Sequence, residues 1–392
     1  MYKLQTLNKI SPCGLDIALH AGYEIASEIL NPDGILVRSA DMLKMEIPES
    51  VKAIARAGAG VNNIPIDACS NRGIVVFNTP GANANGVKEL ALAGMLLASR
   101  KLVPGILWGK TLIGKGDEVP KLIEKGKSNY AGPEIKGKRL GVIGLGAIGV
   151  MVANDAVSLG MQVTGYDPYI SVEAAWGLSR EVKRARSLES LLAESDYITL
   201  HLPLNDRTKG MLNREKFALM KKGVYVLNFS RGGLVRNDDL FAAFTDGTVA
   251  TYVTDFPDEE LLKHEQVIGI PHLGASTPEA EDNCAVMAVN QLRDFLEQGN
   301  TRNSVNFPDC DLGMAVKNRI IIANRNIPNM VGQITTLLAS EKINIADMLN
   351  RHKGDFAYNI IDVDSGVDEG LIEKIKTIDG VVMARLITAG GK

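Results

Sequence analysis

The sequence predicts an α/β protein with two doubly wound parallel sheets and a small C-terminal domain of βαββαβ order. Three observations carry this prediction. Short apolar runs alternate with helix-like stretches over the first hundred residues, a longer alternating series follows, and a compact strand-and-helix pattern closes the chain. With 392 residues and 45% apolar content, the chain is too long for one compact core, so we expect several domains.

The first alternating series contains three apolar runs, "GILVRS" at 34–39, "VKAIARAG" at 51–58 and "GIVVFNTP" at 73–80. Helix-like stretches separate them, which is typical of βαβ units. A parallel sheet of flavodoxin-like type is therefore predicted for this region.

The second series is stronger and contains six apolar strands. They are "RLGVI" (139–143), "MQVTGYDP" (161–168), "SDYITLHLPL" (195–204), "GVYVLNFSRGG" (223–233), "GTVATYVTDFP" (247–257) and "EQVIGIPH" (265–272). This pattern predicts a Rossmann-like nucleotide-binding sheet, whose ligands lie beyond the carboxyl ends of the strands.

A long helix is predicted from Pro278 to Glu297, and the polar segment "GNTRNSVNFPDCDLG" after it has the composition of a linker. A ferredoxin-like pattern then completes the chain. We predict three domains: a discontinuous substrate-binding domain of residues 1–94 and 276–310, a nucleotide-binding domain of residues 95–275, and a C-terminal domain of residues 318–392.

Composition favours a small-molecule ligand. Lys and Arg number 43 against 46 Asp and Glu, without a block of like charge, so neither a nucleic-acid nor a membrane partner is expected. The cysteines lack metal-ligand spacing, which predicts no metal site, no disulfide framework and a reducing compartment. They are Cys13, Cys69, Cys284 and Cys310. The first residues lack the apolar core of a signal peptide, and we expect a cytoplasmic protein.

Three glycines, Gly144, Gly146 and Gly149, follow the strand "RLGVI" and precede a helix. The first permits a tight turn, the second lets the backbone approach a pyrophosphate, and the third lets helix and strand pack closely. Asp167 ends the next strand, where a carboxylate would bind ribose hydroxyls and repel a 2′-phosphate. NAD is therefore favoured over NADP, unless Arg180 and Lys183 fold back beside Asp167.

Two side chains with complementary chemistry follow strands of the second series. Arg231 comes after "VYVLNF", and His272 comes after "QVIGI", so both are expected at the rim that the cofactor occupies. An imidazole exchanges protons near neutral pH, and a guanidinium grips a carboxylate through two parallel bonds. Together they match oxidation of a 2-hydroxy acid.

Seven stretches over nearly the whole chain resemble the D-isomer-specific 2-hydroxyacid dehydrogenases. They are "RAGAGVNNI" (56–64), "VFNTPGANANGVKELAL" (76–92), "GLGAIG" (144–149), "GYDP" (165–168), "HLPL" (201–204), "NFSRGG" (228–233) and "PHLGAST" (271–277). The resemblance implies that His272 takes the hydroxyl proton while hydride leaves C2 for the nicotinamide. It also implies that Arg231 orients the carboxylate and polarises the developing carbonyl.

The resemblance further implies two sets of binding residues. The NAD set is Gly144, Gly146, Ala147, Ile148, Gly149, Asp167, His201, Pro203, Thr208, Phe229, Ser230, Asp255 and Gly274. The substrate set is Arg56, Ala57, Gly58, Ala59, Gly60, Asn83 and Lys88. Arg56 is the first candidate cation for a substrate phosphate and Lys88 the second, with a solvated surface charge as the alternative for both.

In this family a glutamate pairs with the histidine. The sequence departs from the family pattern here, because "TDFPDEELLKHE" replaces the usual stretch and the interval to His272 is short. Spacing from Phe256 indicates Glu259 as the partner. Glu260 could take the role if the loop shifts by one residue, and a solvated carboxylate is the alternative for both.

The C-terminal pattern resembles an ACT domain, a module that binds amino acids and regulates biosynthetic enzymes. The resemblance implies L-serine as effector, with Asn324, Asn326 and Asn344 as candidate contacts because amides can both donate and accept hydrogen bonds. The residues "NIPN" disturb the usual glycine turn, and a purely dimerising module is the alternative. A homodimer or homotetramer is expected.

The sequence leaves three functions open. The first, which the resemblance implies and which we expect, is NAD-dependent oxidation of D-3-phosphoglycerate to 3-phosphohydroxypyruvate, the first step of L-serine biosynthesis; the other two are alternatives to it. The second is oxidation of another D-2-hydroxy acid, such as glycerate or lactate. The third is an NAD-sensing binding protein of corepressor type on the same fold.

Overall fold

The computed structural model describes residues 1–388, so the last four residues of the predicted C-terminal domain, 389–392, lie outside the described residues. The chain divides into two compact units. We call residues 84–277 the central unit, and residues 1–83 together with the described residues from 278 onward the discontinuous unit. The three predicted domain boundaries stay a prediction.

The elements follow one another along the chain in α/β alternation. In the first hundred residues they are β1 (Lys3–Thr6), α1 (Pro12–His20), β2 (Glu24–Ala26), β3 (Gly34–Val37), β4 (Ala53–Arg56), α2 (Ile66–Asn71), β5 (Val75–Phe77) and α3 (Ala84–Arg100). Then come α4 (Leu102–Lys110), α5 (Val119–Gly126), β6 (Arg139–Ile143), α6 (Ala147–Ser158), β7 (Gln162–Tyr166), α7 (Val172–Gly177), β8 (Lys183–Arg184), α8 (Leu188–Glu194) and β9 (Tyr197–Leu200). The remainder are α9 (Arg214–Phe217), β10 (Val224–Asn228), α10 (Asn237–Thr245), β11 (Val249–Thr254), α11 (Glu259–Leu262), β12 (Val267–Gly269), α12 (Pro278–Gln298), β13 (Asn318–Arg325), α13 (Met330–Ser340), β14 (Ile345–Lys353), β15 (Phe356–Val363), α14 (Glu369–Lys376) and β16 (Val381–Ile387).

The discontinuous unit contains a five-stranded parallel sheet in the order β2-β1-β3-β4-β5. Helix α12 packs against α1 so closely that a Cβ on Gly14 would lie 2.6 Å from the carbonyl carbon of Ala285. The apolar runs predicted β3, β4 and β5. Strands β1 and β2 were missed because their residues are only partly apolar and partly buried.

The central unit contains a seven-stranded parallel sheet in the order β12-β11-β10-β9-β6-β7-β8. The strand order reverses between β6 and β9, which is the switch point where doubly wound sheets bind ligands. All six predicted strands are present. The seventh, β8, consists of two exposed basic residues at the sheet edge and therefore lacks an apolar signal.

The C-terminal strands form an antiparallel sheet in the order β14-β15-β13-β16, which is the ferredoxin-like order. One face of this sheet packs on α13 and α14 through residues such as Ile320 and Ile361. The other face joins the core around α12, where Ile321 and Tyr358 pack in one cluster with Phe295. The predicted fold class, two parallel sheets plus a ferredoxin-like domain, is confirmed.

The segment 299–313, predicted as a linker, is instead part of this core. Phe307 and Cys310 are fully buried, and Thr301 exchanges backbone hydrogen bonds of 2.7 and 3.0 Å with Cys310. The Asn306 side chain accepts from the Val76 amide at 2.9 Å and donates to a neighbouring carbonyl. The linker prediction was wrong because these polar side chains pair with backbone groups rather than with water.

Two arginines of the ferredoxin-like sheet hold the C-terminal end of α12. The buried Arg319 pairs with Asp362 through bonds of 2.6 and 2.9 Å, and its Nη1 donates to the Gln298 carbonyl at 2.8 Å. Arg385 donates to the Leu296 carbonyl at 3.1 Å. A helix leaves its last carbonyls without intrahelical partners, and these guanidinium groups satisfy them.

Over residues 1–388, no single helix is long and apolar enough to cross a membrane. Helices α3 and α4 pass this test only when taken together, by length and composition, and they meet at a bend of 67°.

Candidate active site

The glycine turn after β6 has no room for side chains at two of its three glycines. Gly144 has φ +93°, and a Cβ there would lie 2.3 Å from the His201 carbonyl oxygen. A Cβ on Gly149 would lie 1.9 Å from the Gly144 carbonyl oxygen. The first glycine therefore makes the turn, and the third lets α6 pack against it.

The second glycine leaves an open cradle. A Cβ on Gly146 would meet nothing within 4 Å, and Gly146 is the N-cap of α6, which has no side-chain cap in the described part of the chain. The first-turn amides of a helix have no intrahelical acceptors, and they carry positive potential. The amides of Ala147 and Ile148 therefore form a site that fits a pyrophosphate.

Asp167 follows β7 beside this turn. Its carboxylate accepts hydrogen bonds from the Leu145 amide at 2.9 Å and from the Tyr169 amide at 2.8 Å. Within residues 1–388, neither Arg180 nor Lys183 forms an ion pair with Asp167. The arrangement that would have favoured NADP is therefore not formed, and the site fits NAD.

His201, which follows β9, contributes a neutral ring. Its Nε2 bonds to Thr199 Oγ1 at 2.9 Å, whereas its buried Nδ1 has no hydrogen-bond partner in the described residues. Burial lowers the pKa of His201 to about 4. A ring that stays neutral at physiological pH suits a lining role rather than acid–base work.

Further predicted cofactor residues lie in the loops after β9 and β10. The Thr208 hydroxyl donates to the Pro203 carbonyl at 2.6 Å, and the Ser230 hydroxyl donates to the Leu200 carbonyl at 2.5 Å. Phe229 is buried next to Ser230. In the "PHLGAST" stretch, the Gly274 carbonyl approaches α3 so closely that a Cβ on Gly86 would lie 2.6 Å from its oxygen.

The structure brings Arg231 and His272 together around one aromatic ring. The His272 and Phe256 ring centroids are 4.6 Å apart, and the Arg231 guanidinium carbon lies 6.0 Å from the Phe256 centroid. Asp255 Oδ2 lies 4.0 Å from His272 Nε2. We call Arg231, Asp255, Phe256 and His272 the active-site cluster.

Charges in this cluster influence one another. Asp255 is only 3% exposed, and its burial raises the pKa of its carboxyl group, while His272 and Arg231 oppose that rise. The Arg231 Nη1 donates to the Ser230 carbonyl at 2.6 Å. The His272 side chain is 60% exposed, so its ring is open to a ligand.

The pairing of His272 with Glu259 is not found in the described residues, and this expectation requires correction. Glu259 begins α11, where the Asp258 side chain caps the helix by accepting from the Leu261 amide at 2.8 Å. The Glu259 side chain is 88% exposed. Both Glu259 and Glu260 form their ion pairs with Lys263, at 3.8 and 2.6 Å.

In the discontinuous unit, Arg56 ends β4 and holds the predicted substrate loop. Its Nε donates to the Arg38 carbonyl at 2.9 Å, and its Nη1 donates to the Gly60 carbonyl. A Cβ on Gly58, whose φ is +156°, would lie 2.9 Å from that Nη1. The loop of residues 57–60 is therefore shaped around the guanidinium.

A second arginine, Arg38, lies beside Arg56 and was not among the residues predicted from the sequence. Arg38 directly follows β3, and the sheet pairs Val37 with Arg56, so both arginines lie at the carboxyl edge of the sheet. The Arg38 guanidinium forms an ion pair of 2.7 Å with Glu281. Its position after "GILV" matches that of Arg56 after "AIA", and this shared signal could have identified it.

Lys88 does not fit its predicted role as a second cation for phosphate. Its ammonium group forms an ion pair of 2.9 Å with Asp155, and its side chain is only 15% exposed. The helical register of α3 directs the charge to that partner. Asn83 lies half-buried at the end of the preceding loop.

The three candidate effector asparagines do not form one site within the chain. Asn324 is buried, donates to the Arg325 carbonyl at 2.6 Å and accepts from Asn359 at 2.8 Å. Asn326 donates to a hairpin carbonyl at the same end of the sheet. Asn344 bonds to an aspartate at the opposite end, because α13 returns the chain along the sheet before β14 begins.

A doubly wound sheet with a glycine turn, an uncapped helix and an acid after its second strand defines an NAD-binding dehydrogenase domain. Residues 108–274 match the family model described as the NAD binding domain of D-isomer specific 2-hydroxyacid dehydrogenase. The chain is 30% identical to a protein of Haemophilus influenzae named D-3-phosphoglycerate dehydrogenase, covering 98% of this chain and 94% of that protein. The chain belongs to the D-isomer specific 2-hydroxyacid dehydrogenase family.

Other relatives agree with this membership. A D-3-phosphoglycerate dehydrogenase of Methanocaldococcus jannaschii is 35% identical over 295 residues, 73% of this chain, but the chain spans only about half (54%) of that relative's length. The crystal structure of cofactor (NAD+) bound 3-phosphoglycerate dehydrogenase from Entamoeba histolytica is 28% identical. It has a TM-score of 0.59 and covers 78% of this chain and 98% of its own. The predicted family and cofactor are confirmed.

Proposed function

We propose that the chain oxidises D-3-phosphoglycerate to 3-phosphohydroxypyruvate with NAD, at the start of L-serine biosynthesis. The observation that carries this proposal is the active-site cluster, in which a guanidinium and an exposed imidazole share one aromatic neighbour. The relatives of 30–35% identity that are named D-3-phosphoglycerate dehydrogenase support the choice of substrate.

The proposed chemistry divides the alcohol's two hydrogens. His272 accepts the hydroxyl proton on a ring nitrogen, and Arg231 holds the carboxylate through its guanidinium fork. NAD, when bound, supplies the acceptor for the hydride that leaves C2. As the C–O bond becomes a carbonyl, Arg231 also stabilises the charge on its oxygen.

Residues around the glycine turn would hold NAD. The amides of Ala147 and Ile148 suit the pyrophosphate, Asp167 suits the ribose hydroxyls, and the neutral His201 lines the site. The unpartnered Oδ1 of Asp255 is a buried acceptor in the described chain and suits a cofactor amide. Each of these roles is part of the proposal.

Arg38 and Arg56 would supply positive charge for the substrate phosphate. Arg38 follows β3 and Arg56 ends the neighbouring β4, so both lie at one sheet edge, and guanidinium groups match the geometry of phosphate oxygens. The backbone of Ala57 to Gly60 and the Asn83 side chain are the remaining proposed substrate contacts. Lys88 is left out because its side chain is only 15% exposed in its ion pair with Asp155, whereas the Arg38 side chain is 38% exposed in its pair with Glu281.

The central unit carries an exposed apolar arm that supports a homo-oligomer. As the structure describes helix α4, none of its nine residues is buried. The arm exposes Leu102, Ile106, Leu107, Ile113 and Ile123. Exposed apolar side chains on one helix and the chain that follows it favour cover by a second copy, so we propose a dimer or larger assembly. A cytoplasmic location and L-serine as effector also remain proposals.

The test of this function is a comparison of kcat/KM with NAD for D-3-phosphoglycerate, D-glycerate and D-lactate. The proposal expects D-3-phosphoglycerate to be preferred by at least about 10²-fold, because an unphosphorylated acid forgoes charge-assisted hydrogen bonds to two guanidinium groups. A preference for an unphosphorylated acid would overturn the substrate. NADH formation from none of the three would support an NAD-sensing protein instead.

A further inference from the structure

An imidazole that accepts a proton during catalysis works best when a carboxylate orients it and stabilises its charged form. Glu259 and Glu260 do not provide that carboxylate, because α11 directs both toward Lys263. The first turn of α11, which carries Glu259, is capped by the Asp258 side chain, which accepts from the Leu261 amide at 2.8 Å. The cap is held from outside as well, since Asn237 donates to the Asp258 carboxylate at 2.7 Å.

Asp255 has the geometry that the two glutamates lack. It follows β11, its Oδ2 lies 4.0 Å from His272 Nε2, and its side chain is almost completely buried. Among the described residues its Oδ1 has no hydrogen-bond partner. A buried carboxylate with so few partners is costly to maintain, which indicates a functional reason for keeping it.

The backbone around Asp255 is held firmly. The Thr254 hydroxyl accepts from the Phe256 amide at 3.1 Å, and the Thr254 carbonyl accepts from the Ile270 amide at 2.8 Å. Gly269 packs so tightly that a Cβ there would lie 3.0 Å from Pro257. Asp255 is therefore a fixed anion, and the more exposed His272 ring is the group that adjusts to it.

We propose that Asp255, and not Glu259, is the positioning carboxylate for His272; this inference rests on the dehydrogenase function proposed above. Asp255 orients one ring nitrogen and leaves the other for the substrate hydroxyl. When the ring accepts the proton, the carboxylate stays ionised and stabilises the imidazolium. At 4.0 Å the carboxylate is already close enough to favour one tautomer of the ring, and catalytic contacts of this length commonly tighten when substrate binds.

Arg231 is the other charged group that interacts with Asp255. Its guanidinium carbon lies 6.0 Å from the centroid of Phe256, the ring that His272 also contacts. The buried Asp255 carboxylate is therefore influenced by both the base and the carboxylate-binding cation. The loop before α11 is short, and Glu259 lies outside the active-site cluster. Asp255, one residue before Phe256, provides a carboxylate inside that cluster.

The test uses the full-length variants Asp255→Asn, Asp255→Glu and Glu259→Gln. Asp255→Asn should lower kcat by about 10²-fold or more with a small change in the KM of the 2-hydroxy acid. The reason is that the variant loses the orientation of the His272 ring but keeps the groups that bind the substrate. Asp255→Glu should recover part of the loss. Glu259→Gln should have the same kcat and the same KM as the wild type.

A second readout needs neither cofactor nor turnover. The ¹⁵N shifts of the His272 ring report which nitrogen carries the proton. Wild type and Glu259→Gln should show the same dominant tautomer, whereas Asp255→Asn should show a mixture. Thermal melting of each variant separates this effect from loss of the fold.

The proposal is overturned if Glu259→Gln, and not Asp255→Asn, lowers kcat and disturbs the tautomer. It is equally overturned if Asp255→Asn folds normally and changes neither quantity. Absence of NADH formation by the wild type would refute the proposed function instead, and the ring-nitrogen measurement would still decide the role of Asp255.

Discussion

His201 is a histidine that the central unit keeps neutral by burying its ring. Burial lowers its pKa from 6.5 to about 4. Between these two values the unfolded chain binds a proton that the folded chain does not, so stability falls as pH falls through this window. The stability associated with the neutral ring is fully present above about pH 6.5 and is lost near pH 4.

Replacing this ring should flatten the pH dependence of unfolding. His201→Gln keeps a polar side chain toward Thr199 but removes the titration. Between pH 6.5 and pH 4, the free energy of unfolding of the wild type should therefore fall by on the order of 3 kcal/mol more than that of the variant. Urea unfolding at several pH values measures this difference. His20→Gln, at an exposed position, is the matched control, and identical slopes for His201→Gln and wild type would contradict the account.

At the scale of single residues, the sequence predicted which side chains lie in the active site better than it predicted which side chains pair with each other. Arg231 and His272 could be placed at one rim because both follow strands of one parallel sheet. The partner of His272 could not, because it depends on whether residues 259–262 form a loop or a helix turn. Four residues carry too little periodicity to decide between these, and the Asp258 cap becomes evident only from the structure.

Among the elements, the turn between β6 and α6 makes a paired prediction about two glycines. Gly146→Ala adds a Cβ to open space, so its melting temperature should match wild type, whereas its Kd for NAD should rise about tenfold or more. Gly149→Ala forces a Cβ against the Gly144 carbonyl and should lose about 1–3 kcal/mol of stability or fail to fold. Calorimetric NAD titration and thermal melting test the pair, and equal melting temperatures would refute the packing role of Gly149.

The end of α12 makes a second prediction at this scale. Arg319→Met leaves Asp362 as a buried charge without its cation, which should cost about 3–5 kcal/mol in urea unfolding. Lys317→Met, which breaks the exposed pair with Asp364, should cost no more than about 1 kcal/mol. Similar losses in both variants would show that Arg319 does not hold the helix end.

The segment 299–313 explains why some elements resist prediction. Its composition is that of a solvated connection, but Thr301 and Asn306 bond to backbone groups inside the core. The amino-acid sequence does not distinguish a polar side chain that bonds to a buried backbone group from one that faces water. Strand β13 carried the opposite signal, since four successive buried residues, Ile320 to Ala323, indicate a strand covered on both faces.

For the whole molecule, the order and type of the sheets were predictable from apolar periodicity and glycine placement. The element that covers the second face of the ferredoxin-like sheet was not predictable. A burial pattern reveals that a face is covered but does not identify the element that covers it. That face packs on α12 and the chain around it. The C-terminal domain is therefore an integral part of the discontinuous unit's core.

The proposed reaction depends on His272 as the proton acceptor. The most direct measurement is kcat for NADH formation from D-3-phosphoglycerate by His272→Ala, with the Kd for NAD measured alongside. We predict a loss in kcat of about 10²- to 10⁴-fold with the Kd for NAD unchanged. Wild-type turnover by the folded variant would contradict the account.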